Sequence, residues 1–328
     1  MSVPDSGAPP WTVGVDIGGT KVLAGVVDRS GHVHDQVRLL TPHRSKEPRV
    51  VEDTIVEAVD VLRSRYEVAA VGVGAAGFVD AAGARVLFAP HLSWRDEPLR
   101  DHLTARLGVP VLVDNDANAT AWAELCFGAA RGFRQVLCVT LGTGIGGALV
   151  IDGRVFRGAY GMAGEFGHMQ VVPDGRRCEC GNRGCWEQYA SGNVLVREAK
   201  ELVANESPVA ARMRELVHGD ADLLTGPVVT RAAQEGDRAA VELLRGVGTW
   251  LGTGLAGLVA GFDPEMVVVG GGVSDAGDLL LGPAREALAR SLTGRGFRPE
   301  PQVVAALLGP SAGLVGAADL ARSLVEPA

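Results

Sequence analysis

Three of the chain's five cysteines stand within eight positions, in the stretch Cys178-Glu179-Cys180-Gly181-Asn182-Arg183-Gly184-Cys185. Cysteines one residue apart bridge each other with difficulty, whereas glycines at 181 and 184 permit the tight turn a chelate needs. Just upstream, Gly164-Glu165-Phe166-Gly167-His168 sets an acid and an imidazole three residues apart. With His168 as fourth donor the set becomes Cys3His, a closed tetrahedral site for a structural zinc with no position left for water. A C-x-x-C pair in a thioredoxin-like setting, which redox chemistry would need, is absent. Glu187 follows two residues after Cys185, so an ion that freezes the loop freezes this carboxylate as well. A lone acid at a helix start is usually a dipole-stabilised surface group, but the neighbouring clamp favours a ligand role.

A second set of residues suits phosphate chemistry. Asp16-Ile17-Gly18-Gly19-Thr20-Lys21 places an acid at a strand end, two glycines that let backbone N–H groups approach an anion, then a hydroxyl and an ammonium. An acid beside such a nest can hold phosphate-bound Mg²⁺. Taken singly the motif also reads as a plain hairpin turn. Its near-repeat, Leu141-Gly142-Thr143-Gly144-Ile145-Gly146-Gly147, favours two loops gripping the β- and γ-phosphates of a nucleotide. Gly270-Gly271-Gly272 leaves a flat backbone against which an adenine can lie, although strand-to-helix turns often use glycine. Asp114-Asn115-Asp116 ends an apolar strand. Either Asn115 or Asp116 suits a helix N-cap, and a carboxylate fixed there can also accept a proton from a substrate hydroxyl. Asp114, earlier on the strand, is the fallback base. Asn115, Asp116, Glu165, His168 and Glu187 would together form a set able to hydrogen-bond sugar hydroxyls. Trp94 and Trp186 would wall such a site, or else belong to the core.

The elements that must position these groups follow from periodicity. Residues 11–28 read as a β-hairpin, and 135–153 repeat the plan about 125 residues later, which suggests a duplicated α/β unit. Between the hairpins the spacing of Val50, Ile55, Val59 and Leu62 predicts a helix over 48–65. Strands are expected at 68–74 and 109–113, with helices near 98–107 and 117–127. After the cysteines the chain turns helical over 192–204, 208–217, 227–236 and 238–260. A strand at 266–269, a helix from about 278, a strand at 302–306 and a helix over 312–325 complete the order. Pro264, Pro283 and Pro310 are expected at element boundaries. Cys126 and Cys138 read as core residues. No low-complexity linker divides the halves, so two connected lobes flanking a cleft are expected.

Composition narrows the partners. Hydrophobic residues make up 47% and charged residues 21% of 328 positions, an ordinary globular balance. The net charge of −8 and the lack of a basic run argue against nucleic acid. No apolar run reaches the roughly 18 residues that span a bilayer. The first ten residues lack the features of a signal peptide and read as a short disordered leader, so a cytoplasmic protein is expected. Clustered cysteines in a reducing compartment again favour metal over disulfides.

Together D-I-G-G-T-K, D-N-D-A-N-A, L-G-T-G-I-G-G, G-E-F-G-H and C-E-C-G-N-R-G-C-W-E resemble the ROK family of sugar kinases and repressors, most closely its bacterial glucokinases. The resemblance implies an α/β, two-lobed, actin-like ATPase (ribonuclease H-like) fold with duplicated units and a zinc-bound loop. It implies a small lobe of 1–116 plus about 305–328, and a large lobe of 117–304 with the zinc loop and a helical dimerisation region. It implies transfer of a phosphoryl group from ATP-Mg²⁺ to the 6-hydroxyl of glucose, with Asp116 as general base. Asn115, Asp116, Glu165, His168 and Glu187 match sugar ligands, and Gly77 would lend its backbone. Asp16, Gly18, Gly19, Thr20, Lys21, Gly142, Thr143 and Gly144 match the phosphate and Mg²⁺ groups, and Gly271 and Gly272 the adenosine motif. His168, Cys178, Cys180 and Cys185 match zinc ligands. A homodimer or homotetramer is implied by the resemblance alone. The chain departs from the pattern at 74–77, where many members carry a proline, and at His91, where asparagine is common. Fifteen residues precede Asp16, too few for the winged helix-turn-helix of the repressors, so a kinase is expected. Other hexoses (N-acetylmannosamine, fructose, allose), polyphosphate as donor and a non-catalytic sugar sensor are the alternatives.

Overall fold

The computed structural model describes residues 11–326, and the expected leader at residues 1–10 lies outside them. Trp11–Ile17 (β1) and Lys21–Val27 (β2) form the expected hairpin, antiparallel from Thr12 opposite Val27 to Ile17 opposite Val22. Val33–Leu40 (β3) pairs outside β2. Pro48–Arg63 (α1) leads to Val68–Ala75 (β4), which lies parallel to β1. Phe78–Val79 (β5), Val86–Phe88 (β6) and Arg95–Glu97 (β7) form a separate antiparallel sheet. At two or three residues each, these strands are too short for alternation to reveal, and the sequence reading passed over them. Leu99–Leu107 (α2), Val111–Asn115 (β8) and Asp116–Cys126 (α3) follow.

The plan then repeats. Val136–Leu141 (β9) and Ile145–Ile151 (β10) make the second hairpin, flanked by Arg154–Phe156 (β11). Six helices come next, interrupted by one strand: Glu187–Ala190 (α4), Gly192–Ala204 (α5), Ala211–Leu216 (α6), Gly226–Gln234 (α7), Arg238–Phe262 (α8), Met266–Gly270 (β12) and Asp278–Ser291 (α9). Gln302–Ala305 (β13) and Ala312–Arg322 (α10) are last. The strand orders β3-β2-β1-β4-β8 and β11-β10-β9-β12-β13 correspond strand for strand, each a hairpin with a third strand on its outer side and two parallel strands on its inner side, which makes the duplication explicit.

The chain divides into two compact units. The first comprises Met1–Gly128, Val155–Ala163 and Ser311–Ala328; the second comprises Ala129–Arg154 and Gly164–Pro310. In the first, Val13, Val15, Ile17 and Val22 of the hairpin pack with Val51, Ile55, Val59 and Leu62 of α1. Val50, expected on that face, is 37% exposed, because Val51 and not Val50 falls in register with Ile55 and Leu62. Helix α10 lies flat on the sheet: a Cβ on Gly14 or Gly72 would come within 1.8 Å of the Leu314 or Ala317 carbonyl oxygen, so only glycine permits the approach. At its end the buried Arg322 guanidinium donates to Thr12 Oγ1 at 2.8 Å and to the Val27 carbonyl at 3.1 Å.

In the second unit α8 carries Leu244, Leu251, Leu255 and Val259 into the core. This helix is long and apolar enough to span a bilayer, with a mean hydropathy of 1.2, contrary to the sequence reading; its apolar face is spent on α9, α7 and α5 instead. Pro283 does not mark a boundary but sits within α9. It forfeits one backbone donor. The α8 backbone packs closely there, since a Cβ on Gly248 would approach the Leu280 carbonyl oxygen to 2.4 Å and Pro283 Cβ to 3.2 Å.

Candidate functional site

The sequence-derived site residues fall into two groups, one in each unit. In the first unit the β1–β2 turn is closed by Gly18 N–H donating to the Lys21 carbonyl at 3.2 Å, and Thr41 Oγ1 donates to the Gly18 carbonyl at 2.7 Å. Thr41 N–H also donates to the Thr20 carbonyl at 3.3 Å, and Gly19 and Thr20 at the tip of the turn are exposed. Asp16, at the end of β1, lies 3.7 Å from the Lys21 ammonium. Burial pushes its carboxyl above the ordinary 3.8, while the charge and hydrogen bond of Lys21 draw it back. A carboxylate withdrawn from water with one partial counter-charge is suited to a further cation, so Asp16 fits a role in holding Mg²⁺.

The β8–α3 junction settles a choice the sequence left open. Asn115 is the N-cap: its Oδ1 accepts from Ala117 N–H at 2.9 Å and Asn118 N–H at 3.1 Å, and its Nδ2 donates to the Gly77 carbonyl at 3.1 Å. One amide hydrogen of Asn115 is left for a ligand. Asp116 is the first residue of α3, with Oδ1 accepting from Ala117 N–H at 3.0 Å. The helix N-terminus stabilises its charge. Asp114 is only 3% exposed and fully engaged: Oδ1 accepts from Asn115 N–H at 2.8 Å and Asn118 Nδ2 at 2.9 Å, and Oδ2 accepts from Arg157 Nε at 3.0 Å and Nη2 at 2.5 Å. With both oxygens taken up by these donors and turned away from solvent, Asp114 has none to offer a substrate hydroxyl and loses its standing as fallback base.

In the second unit the cysteine loop meets the Gly164–His168 segment. A ring nitrogen of His168 and the sulfurs of Cys178, Cys180 and Cys185 all lie within 4.8 Å of one another. Two of the separations, Cys178 Sγ to His168 Nδ1 and Cys180 Sγ to Cys185 Sγ, are both 3.6 Å. A tetrahedron with Zn–S bonds near 2.3 Å has edges of about 3.8 Å, so donor chemistry and spacing are compatible with a structural zinc. All five cysteines are free thiols rather than disulfides. Cys138 is buried and Cys126 half-buried, with burial pushing the Cys126 thiol up to about 12, as suits inert packing residues. The loop is built for this: Gly184, with a positive φ of 74°, lies where a Cβ would approach the Val172 carbonyl oxygen to 1.7 Å.

Glu187 opens α4 beside the cluster, its Oε1 3.0 Å from Cys178 Sγ and 3.5 Å from His168 Nδ1. Its other oxygen lies over Gly144, where a Cβ would come within 2.5 Å. The glycine turn of the second hairpin is tied to the start of α5, because Gly192 N–H donates to the Gly142 carbonyl at 2.9 Å. Gly271, with φ of 83°, packs on the end of β9 against the Leu141 backbone. Thus His168, Glu187, Gly142–Gly144 and Gly271 are held by one framework, with exposed Glu165 leading into the His168 turn. Trp186 and Trp94 are fully buried and form no sugar wall. Trp186 Nε1 donates to the Trp250 carbonyl of α8 at 2.8 Å and anchors the loop between Cys185 and Glu187.

Residues 12–323 match the sequence profile of the ROK family. The chain belongs to the ROK family. It is similar to a glucokinase of Streptomyces coelicolor, with 49% identity over 95% of this chain and 97% of that protein. Among solved structures it resembles a ROK family glucokinase from Streptomyces griseus in complex with glucose and AMPPNP, at 51% identity and a TM-score of 0.89, covering 95% of this chain and 99% of the other. A ROK hexokinase from Thermus thermophilus follows at 36% identity and a TM-score of 0.77, covering 96% and 99%. The fold is therefore the actin-like α/β fold of ROK sugar kinases. What the motif reading of this ROK chain missed is Arg157, which touches Asp114 from 43 residues away in sequence. Its only local signal is an arginine just ahead of the G-E-F-G-H motif.

Proposed function

We propose that this protein is an ATP-dependent glucokinase that forms glucose 6-phosphate. The observation that carries the reading is its similarity, over nearly the whole length of both chains, to a glucokinase solved with glucose and AMPPNP. The chain retains a residue for each role the reaction requires. Asp116 accepts the proton of the C6 hydroxyl as that oxygen attacks the γ-phosphorus of ATP. Asn115, Glu165, His168 and Glu187 hydrogen-bond the sugar hydroxyls, and Gly77 adds a backbone group. The turns Gly18 to Lys21 and Gly142 to Gly144 receive the phosphates through the N–H groups of Gly19, Thr20, Thr143 and Gly144 and the Lys21 ammonium, while the Gly18 and Gly142 N–H groups close the turns themselves. Gly271 and Gly272 lie against the adenosine. Mg²⁺ neutralises phosphate charge when bound, and Asp16 is the residue that would hold it.

Zinc takes no step in the chemistry. Its ligands freeze the loop from which Glu187 projects, and they leave the second nitrogen of the His168 ring for the sugar, since the ring faces Cys178 through Nδ1. A homodimer or homotetramer and a cytoplasmic location belong to the same reading, the latter because its substrates are ATP and free hexose. Coupled measurement of ADP release over a panel of glucose, N-acetylmannosamine, fructose and allose, with ATP or polyphosphate as donor, tests the proposal. Glucose with ATP is expected to give the highest kcat/KM. A higher value for another sugar or donor reassigns the substrate, and no turnover with any pair makes the protein a sensor.

A further inference from the structure

We infer that Arg157 is a positioning residue for the Asp116 base and acts through Asp114. The inference rests on the glucokinase reading, in which Asp116 takes the substrate proton. Asp114 is two residues ahead of it, the penultimate residue of β8, with its side chain 4% exposed. One oxygen bridges the strand end to the helix by accepting from the Asn115 backbone and the buried Asn118 side chain. The other receives two N–H groups of Arg157, at 3.0 and 2.5 Å. Among the described residues Arg157 is the one cation in ion-pair contact with Asp114. Arg157 in turn is steadied by donating from Nη1 to the Val155 carbonyl at 3.3 Å.

Two consequences follow for Asp116. Without Arg157, Asp114 is a buried charge with no counter-charge, a state that is relieved by protonation or by movement of the strand end. Either relief loosens the junction from which Asp116 and the Asn115 cap are set. If Asp114 stays ionised, its uncompensated charge raises the proton affinity of a carboxylate two residues away. Arg157 thus fixes both where the base stands and the pH at which it is deprotonated, without touching the sugar. Lysine conserves the charge but not the two-pronged geometry.

The test is steady-state kinetics with glucose and ATP from pH 5.5 to 9, on the full chain, for Arg157→Gln, Arg157→Lys and the pair Asp114→Asn with Arg157→Gln. The wild-type enzyme is measured first: if it does not phosphorylate glucose, the function reading fails and not this inference. For Arg157→Gln, kcat is expected to fall by about tenfold to a hundredfold, the scale of an ångström's misplacement. The acidic limb of its kcat/KM profile is expected to move to higher pH. Arg157→Lys should return that limb to the wild-type position while kcat stays depressed. The double variant, which carries no buried charge, should do the same and guards against Arg157→Gln failing to fold. Wild-type kcat and an unmoved limb in Arg157→Gln overturn the inference. So does an equal loss of kcat in all three variants with no movement of the limb, which would mark a merely structural contact.

Discussion

Asp114 and Asp116 show how the same side chain two positions apart acquires different chemistry. Asp114 is buried and saturated by four N–H groups, while Asp116 stands half-buried at the first position of α3, where its Oδ1 accepts from the Ala117 N–H. Asp116→Asn preserves shape and that hydrogen bond but removes the proton acceptor. It is expected to lower kcat by about 10² to 10⁴, the usual range for general-base catalysis, while glucose affinity measured by calorimetry changes little. Retention of wild-type kcat would take the base role from Asp116. The sequence named this residue but not its neighbour's function, because saturation of Asp114 depends on Arg157, which sequence separation conceals.

At the scale of elements, the cysteine loop and α4 act as one piece. The loop is pinned at its base by Trp186, whose indole lies so close to α8 that a Cβ on Gly254 would fall 2.1 Å from it. At its tip it is closed by the Cys3His cluster. Glu187 lies between these fixings, so loss of the ion frees a carboxylate proposed to bind sugar. Cys180→Ser removes the most exposed ligand of the cluster with little disturbance of packing. It is expected to lose about one equivalent of zinc per chain and to raise the glucose KM more than it lowers kcat. Elemental analysis with kinetics checks this; unchanged zinc content and KM would refute the clamp. The main helices and both hairpins were legible in advance, since their periodicities extend over six residues or more. The sheet β5-β6-β7 was not, and Pro283 misled because the α8–α9 contact accommodates a proline inside a helix.

At the scale of the whole molecule, stability is expected to depend on pH through a network joining α1, α2 and β7. His102 Nδ1 lies 3.0 Å from Glu52 and 3.1 Å from Glu97, two buried carboxylates, with Arg106 3.5 Å from Glu52. Asp101, Asp53 and Arg85 are the other charged groups around it. The hydrogen bond with Glu52 raises His102 above its ordinary 6.5, with the charges of Glu52, Glu97 and Asp101 adding. Burial, and then the charge of Glu52, push Glu97 above 4.5. Both shifts have one sign: the folded state holds protons more tightly than the unfolded chain. The His102 contribution is therefore complete below about pH 6.5 and is lost as pH rises through the raised value. The apparent Tm is expected to fall between pH 6 and pH 9, and His102→Gln should lower Tm more at pH 6 than at pH 9. An equal loss at both values would detach the pH dependence from this network.

The sequence by itself determined the duplicated α/β plan, the family, the phosphate turns and the metal-binding residue types. These are written in short-range patterns: glycine at fixed offsets, alternation along strands, cysteines two and five positions apart. Tertiary structure decided which of these groups are usable. It made Asn115 the cap, withdrew Asp114 behind Arg157, buried Trp94 and Trp186, and turned the apolar length of α8 into core rather than membrane span. Each of those outcomes depends on burial and on partners far away in the chain, which local spacing does not encode.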